Sequence, residues 1–310
     1  MVSGNLNGKY HRFTMKNNFK SKPLRGIIFM LLSSLCFAIN DAVIKFAVKQ
    51  MENDFSMFNI IFVRGIFTSL LILISIFFFG KINLKKLLNN KRSYLRGLFE
   101  VLAALTFLTG LMLMPMADVY TLQNTAPLII TAAGAVFLKE KVGIRRWSAV
   151  TMGFIGVLIV INPGNLKFGY IFILPIMSAI FLTFRDVLTK GFKDSSSSLE
   201  IIFITSILVT IVFGALSIFY PIYVTYENIS LIIISSIFLT IAYLFSVLTV
   251  LYAPLSLTSS TRYSVIVFGI ILGYMIFNEV PSINMIIGAI IISLSGLFVI
   301  KREKQLGKIQ

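Results

Sequence analysis

Hydrophobic and polar positions in this chain do not alternate at the period of a strand or of a surface helix. They come in blocks, long apolar runs cut by short clusters of charged residues, Pro, Asn and Gly. A helix that crosses a bilayer needs about 20 mostly apolar residues, and the chain divides into ten such runs, near 25–48, 57–80, 94–114, 117–138, 143–162, 168–190, 198–220, 229–251, 253–277 and 281–300. The pattern predicts an all-α membrane protein with ten transmembrane helices. Runs three and four are joined only by Met114–Asp118, and runs eight and nine by little more than Tyr252-Ala253-Pro254. Both pairs are expected to be tight helical hairpins.

The few ionisable side chains inside the runs carry a second pattern. From Gly26 to Val48 they are Asp41 and Lys45, in the stretch INDAVIK. Their i, i+4 spacing puts them on one helix face. The spacing returns 145 residues later in FRDVLTK, with Asp186 and Lys190 in the same places and Ser178 in register with Ser33. The chain therefore reads as two copies of one unit, residues 25–162 and 163–301, between basic tails at 1–24 and 302–310. Five runs per copy is an odd number, so the second copy is expected to enter the membrane inverted. The loops agree, since FLKEKVGIRR after run four is basic while its counterpart IFNEVPSIN after run nine has no base. Glu140-Lys141-Val142 and Glu279-Val280 mark the same joint in each copy. Gly153 and Gly156 follow in one copy, and Gly288 and Gly296 in the other. Small residues at such spacing let helices approach closely in lipid.

Composition narrows the class. The 310 residues are 57% hydrophobic, above the ~45–50% of soluble domains. The net charge of +16 does not indicate nucleic-acid binding, because the bases lie in short loops and at both ends. With the N-terminus inside, the inner segments collect 21 Lys and Arg against two outside, Lys49 and Lys167. By the positive-inside rule both termini are cytoplasmic. Basic residues ahead of a long apolar run, with no small-residue cleavage site, predict an uncleaved first span. Cys36 is the one cysteine and His11 the one histidine, so neither an internal disulfide nor a His/Cys metal cluster is expected. No cofactor is indicated. The signatures of phosphate loops, zinc hydrolases and Ser–His catalysis are missing, which disfavours an intramembrane enzyme. A channel with a polar cavity is a further alternative that the duplication disfavours.

Two stretches, DVYTLQNTAPLIITAAGAVFLKEKVGIRRWSAVTMGFIGVLIVINPG and TRYSVIVFGIILGYMIFNEVPSINMIIGAIIISLSGLFVIKRE, resemble the drug/metabolite transporter superfamily in its form with two EamA domains and ten spans. The resemblance runs from about Arg25 to Glu303. Its ordered features are Pro127, Glu140 thirteen residues later, and then the glycine-bearing last helix of the repeat. In the second half Ile266 stands where the proline would be, leaving the helix break expected there without its usual cause. TAPL, FLKEKVGIRRW, RYS and FNEVP are similar to a proteobacterial branch that includes S-adenosylmethionine and riboflavin carriers. The resemblance implies a secondary active transporter in the cytoplasmic (inner) membrane, working by alternating access. The implied solute is a small organic metabolite of nucleoside-like, flavin, S-adenosylmethionine or amino-acid class.

A carrier needs polar groups near mid-depth. Counted from the run ends, Glu100, Gln123, Asn124, Arg262 and Tyr263 lie there and are the candidate solute-binding residues. Asp41, Lys45 and Arg64 fall nearer the outer face, and Arg185, Asp186 and Lys190 nearer the inner face. The two trios are candidate gating ion pairs, or else static pairs that offset each other's desolvation. Glu100 is open to two readings, a proton-coupling carboxylate or an i, i+4 partner of Arg96. Five bases against three acids in the runs (Asp41, Glu100, Asp186) suit an anionic or zwitterionic solute better than a bare cation. The partners implied are the solute and membrane lipid, with monomer and homodimer both open.

Overall fold

The computed structural model describes residues 23–51, 56–79, 91–137, 143–162, 169–189, 198–219, 226–252 and 261–305. Among them the regular structure is helical throughout: α1 (Pro23–Gln50), α2 (Ser56–Phe79), α3 (Lys91–Leu113), α4 (Met116–Gln123), α5 (Ala126–Phe137), α6 (Ile144–Ile161), a 3-10 turn at Gly169–Phe172, α7 (Ile173–Thr189), α8 (Ser198–Ser217), α9 (Tyr226–Tyr252), α10 (Ser264–Phe277) and α11 (Ile283–Gln305). Among the described residues seven helical stretches are long and apolar enough to cross a membrane, and Trp147–Ile161 and Ser264–Phe277 are shorter apolar helices. Large apolar side chains such as Phe77, Phe78, Leu158, Ile290 and Leu294 stand exposed. Such a surface is stable against hydrocarbon and a liability in water. The chain is a membrane protein. Most of both basic tails, Lys190 and Pro254 lie outside the described residues.

The hairpin expected after run three is there, with Met114 and Pro115 alone linking α3 to α4. Run four is broken in the middle, as Pro127 requires. A proline near the start of a helix has no N–H for the preceding turn, and α4 stops at Gln123 while α5 restarts at Ala126. Thr125 bridges the gap by donating both its N–H and its hydroxyl to the Leu122 carbonyl, at 3.2 and 2.7 Å. The second copy breaks at the matching place without a proline: Thr261 is helical, Arg262 and Tyr263 form a turn, and α10 begins at Ser264. Tertiary packing supplies the reason, because Tyr263 is buried with its ring against Gly296 of α11.

The bundle is held by pairs drawn from the two halves. Helix α1 packs along α9, α3 along α7, α2 along α8, and α6 along α11, with α4 against α10. Exchanging corresponding elements of the two halves turns the α1–α9 pair into α7–α3 and leaves the other pairs in place. The two serines in register make equivalent joints. Ser33 donates to the Ala242 carbonyl at 2.9 Å, and Ser178 to the Ala103 carbonyl at 3.1 Å. The glycines of α6 and α11 serve close packing. A methyl group on Gly288 would stand 2.7 Å from the Gly156 carbonyl oxygen, and one on Gly156 3.1 Å from that of Gly288.

This seam gives a direct test. Gly288→Leu is expected to cost about 1–3 kcal/mol by overpacking and to lower the yield and melting temperature of protein in detergent. Gly143→Ala, where nothing lies within 4 Å of the added carbon, is expected to leave both unchanged.

Candidate functional site

The ionisable side chains of the helices gather into three groups. The first forms where the ends of α1 and α10 meet the α3–α4 link. Helix α10 stops because Asn278 adopts the left-handed conformation, φ 54°, which asparagine tolerates better than most residues. The Asn278 N–H then bonds the Tyr274 carbonyl and the Glu279 N–H reaches back to Gly273. This wrap turns the Glu279 carboxylate over the end of the helix, where Gly273 leaves it room. One oxygen accepts from Lys45 Nζ at 2.6 Å and the other from the Met116 N–H at 2.8 Å. Glu279 thus caps α4, whose preceding residue Pro115 gives no side-chain cap, and its negative charge suits a helix N-terminus. Lys45, 1% exposed, also donates to the Met114 carbonyl at 2.7 Å. Lys49 Nζ lies 4.9 Å from the Phe277 ring centre, and Asp118 is within electrostatic range of Lys45 and Glu279.

The second group is a buried network around Asn40 and Asp41. Asp41 accepts from Tyr120 Oη at 2.6 Å and from Asn40 Nδ2 at 2.8 Å. The Asn40 carbonyl oxygen accepts from Ser235 Oγ at 2.7 Å and from Arg64 Nη1 at 3.4 Å. Four helices, α1, α2, α4 and α9, are stitched together here. The expected trio of Asp41, Lys45 and Arg64 is therefore divided. Lys45 and Asp41 do share a face of α1, but Lys45 turns to a carboxylate 234 positions away, whereas Asp41 answers to a phenol and an amide.

The third group lies between α3, α7 and the turn before α10. Arg185 Nη1 donates to both oxygens of Glu100 at 3.1 Å. Its Nε and Nη2 hold Asp186 Oδ1 at 2.9 and 2.7 Å. Arg96 adds a longer pair to Glu100 at 3.7 Å and donates to Thr205 at 2.6 Å. The other Asp186 oxygen stands 3.9 Å from Arg262 Nη1. The i, i+4 pair of Arg96 and Glu100 is present, but Arg185 makes the shorter contacts. Glu100 and Arg262, read as solute ligands, thus belong to one chain of ion pairs with Arg185 and Asp186, read as a gate. Residues assigned to the two roles by linear depth are thus in direct contact.

Of the other candidates, Gln123 donates to Ser178 Oγ at 3.0 Å, a little over two helix turns from Asp186 on α7. Asn124 folds back on its own helix, donating to the Tyr120 carbonyl at 2.8 Å. Tyr263 is buried, and its hydroxyl finds no partner among the described residues. Lys190 lies outside the described residues. Sequence reasoning missed Asn40, Tyr120 and Tyr243. The Tyr243 phenol lies within electrostatic range of Glu100, Arg64, Arg96 and Arg185, and its ring meets Phe37 edge-on at 5.5 Å. A polar neighbour of Asp41 was a usable signal for Asn40, whereas nothing local distinguishes Tyr243 among eleven tyrosines.

The comparisons with known proteins identify this helical membrane protein as a transporter of small metabolites. Residues 24–162 match the model of the EamA-like transporter family. The chain is 27% identical to an S-adenosylmethionine uptake transporter of Rickettsia prowazekii, over 91% of this chain and 94% of that protein. It is 22% identical to a riboflavin transporter of Rhizobium johnstonii, over 91% and 93%. A solved crystal structure aligns with a TM-score of 0.59 at 15% identity, covering 90% of this chain and 96% of that one, a likeness of fold alone.

The Lys45–Glu279 pair makes a measurable claim. Lys45→Met strands a carboxylate and is expected to cost about 3–5 kcal/mol, read as a lower melting temperature by circular dichroism in detergent. Lys45→Met with Glu279→Gln, which keeps the bond to Met116, is expected to recover most of the loss.

Proposed function

We propose that the chain is a secondary active carrier of a small organic metabolite, working by alternating access in a cytoplasmic (inner) membrane. In this reading ten spans form two inverted five-helix repeats, with both termini on the cytoplasmic side. The equivalent serine joints and the exchangeable helix pairs support the duplication, and the odd number of runs per copy supplies the inversion. Inverted repeats put the solute at their interface, where the third charge group lies.

The observation that carries the proposal is the unequal state of two charge groups. The Lys45–Glu279 pair is short, with Lys45 1% and Glu279 15% exposed. The Arg262–Asp186 pair is long, with Arg262 51% and Asp186 35% exposed. Arg262 lies in the turn before α10, within electrostatic range of Asp186, Arg185 and Glu100. Its exposure is read as toward that group inside the bundle and not toward lipid, where a charge costs several kcal/mol. A carrier held closed at the outer end and open at the inner end has this asymmetry, and in the opposite state the Lys45–Glu279 latch releases. Glu100, Arg185, Asp186, Arg262 and Gln123 line the solute path, with the Phe37–Tyr243 pair as an aromatic wall. Asp41 and Arg64 brace the helices between the two groups. S-adenosylmethionine and flavins, the solutes named for the relatives, both present a flat ring to such a wall.

Counterflow into vesicles holding the purified protein tests this. A carrier accumulates labelled solute against unlabelled solute inside, a channel does not, and an enzyme alters the solute. Arg262→Ala is expected to reduce exchange at least tenfold while folded yield stays within twofold of wild type. Unimpaired exchange by that variant removes Arg262 from the path.

A further inference from the structure

The ion pairs differ in how firmly each partner is held, and the difference points to the chemistry of the solute. Lys45 and Glu279 are locked by a 2.6 Å contact and two backbone bonds. Arg185 is firmly held, donating to both oxygens of Glu100 and one of Asp186. Among the described residues the other oxygen of Asp186 faces Arg262 Nη1 across 3.9 Å, beyond hydrogen-bond length. Both groups are partly open. Asp186 is in register with the buried Ala179 and Thr183 of α7, and Arg262, in the turn before α10, faces it.

Resting on the carrier reading, we infer that the Arg262–Asp186 pair is the seat of an α-amino-acid zwitterion, whose carboxylate replaces Asp186 at Arg262 and whose ammonium replaces Arg262 at Asp186. Charge bookkeeping selects this class. A solute with a carboxylate alone satisfies Arg262 and takes from Asp186 the base that faces its second oxygen among the described residues, and a solute with an amine alone does the reverse. An uncharged flavin head leaves the pair as it is. A group carrying both signs at adjacent atoms opens the pair and gives each partner a new one, which matters once the bound solute closes the site to water, where an unpaired charge is costly. Arg185 orients Asp186 by its grip on Oδ1, and Glu100 holds Arg185 in turn. Planar guanidinium matches a carboxylate at two points, so Arg262 suits the carboxylate end. The remainder of the solute extends toward Phe37 and Tyr243.

The test is equilibrium binding of tritiated S-adenosylmethionine to the full-length chain in detergent, with counterflow in proteoliposomes alongside. S-adenosylhomocysteine keeps the zwitterion, while 5′-methylthioadenosine and riboflavin lack it. The expected result is competition by S-adenosylhomocysteine within about tenfold of S-adenosylmethionine, with the other two weaker by about 100-fold, the range set by charged hydrogen bonds. Arg262→Gln and Asp186→Asn are each expected to weaken S-adenosylmethionine by about 10- to 100-fold and leave 5′-methylthioadenosine unchanged, with Arg262→Lys intermediate. The ligand comparison needs no variant, so it stands even where a substitution impairs folding. Equal affinity for compounds with and without the zwitterion overturns the inference, as does a variant that weakens all compounds alike. Riboflavin exchange that ignores the pair sinks the inference and leaves the carrier reading intact. Pair-dependent binding with no counterflow sinks the carrier reading and leaves the seat. Neither binding nor exchange of any probe removes both.

Discussion

A charged side chain inside hydrocarbon has no water to turn to, and at a cost of several kcal/mol it must find its complement within the protein. That constraint organises this bundle. Asp41, Lys45, Arg64, Glu100, Arg185 and Asp186 each meet a partner on another helix, or share one through a neighbour, and those meetings dictate which helices touch. Lys45 draws the end of α10 to the start of α4 through Glu279. Arg185 draws α7 to α3 through Glu100. The packing between helices is apolar and close, but apolar contact in lipid chooses partners weakly, since lipid tails are as apolar as Leu.

The polar contacts are graded. Asn40 and Asp41 sit in a network that joins four helices and exposes almost nothing, an arrangement suited to bracing. Lys45 and Glu279 are as tight but lie at helix ends, where a shift of one end parts them without repacking a core. Arg262 and Asp186 are loose and accessible. The three groups thus differ in the number of bonds that must break to separate them, the order that the proposed brace, latch and seat require.

The two halves reach one geometry by different local means. Pro127 breaks run four by removing a donor, and the second half breaks at Arg262 and Tyr263 because the Tyr263 ring is seated on Gly296. The consequence is the same, since a break frees backbone and side chains near mid-depth for a ligand. It also explains why the proline motif alone was an incomplete guide. A break caused by a partner 33 residues downstream leaves no mark at the position where it happens.

The sequence determined by itself that the chain is helical and membrane-bound, that the α3–α4 hairpin is tight, that Ser33 and Ser178 hold corresponding places, and which residues carry intramembrane charge. These follow from run length, hydropathy and spacing, quantities local to the chain. Tertiary structure alone decided the pairing. Lys45 was expected to act with Asp41 and instead binds Glu279, and Glu100 and Arg262 were assigned apart from Arg185 and Asp186 yet join them. Tyr120 and Tyr243 gained contacts that no local pattern signals. The reason is physical: spacing along a helix fixes the face a side chain occupies, but its partner is fixed by which helix lies opposite, and that depends on the packing of the whole bundle.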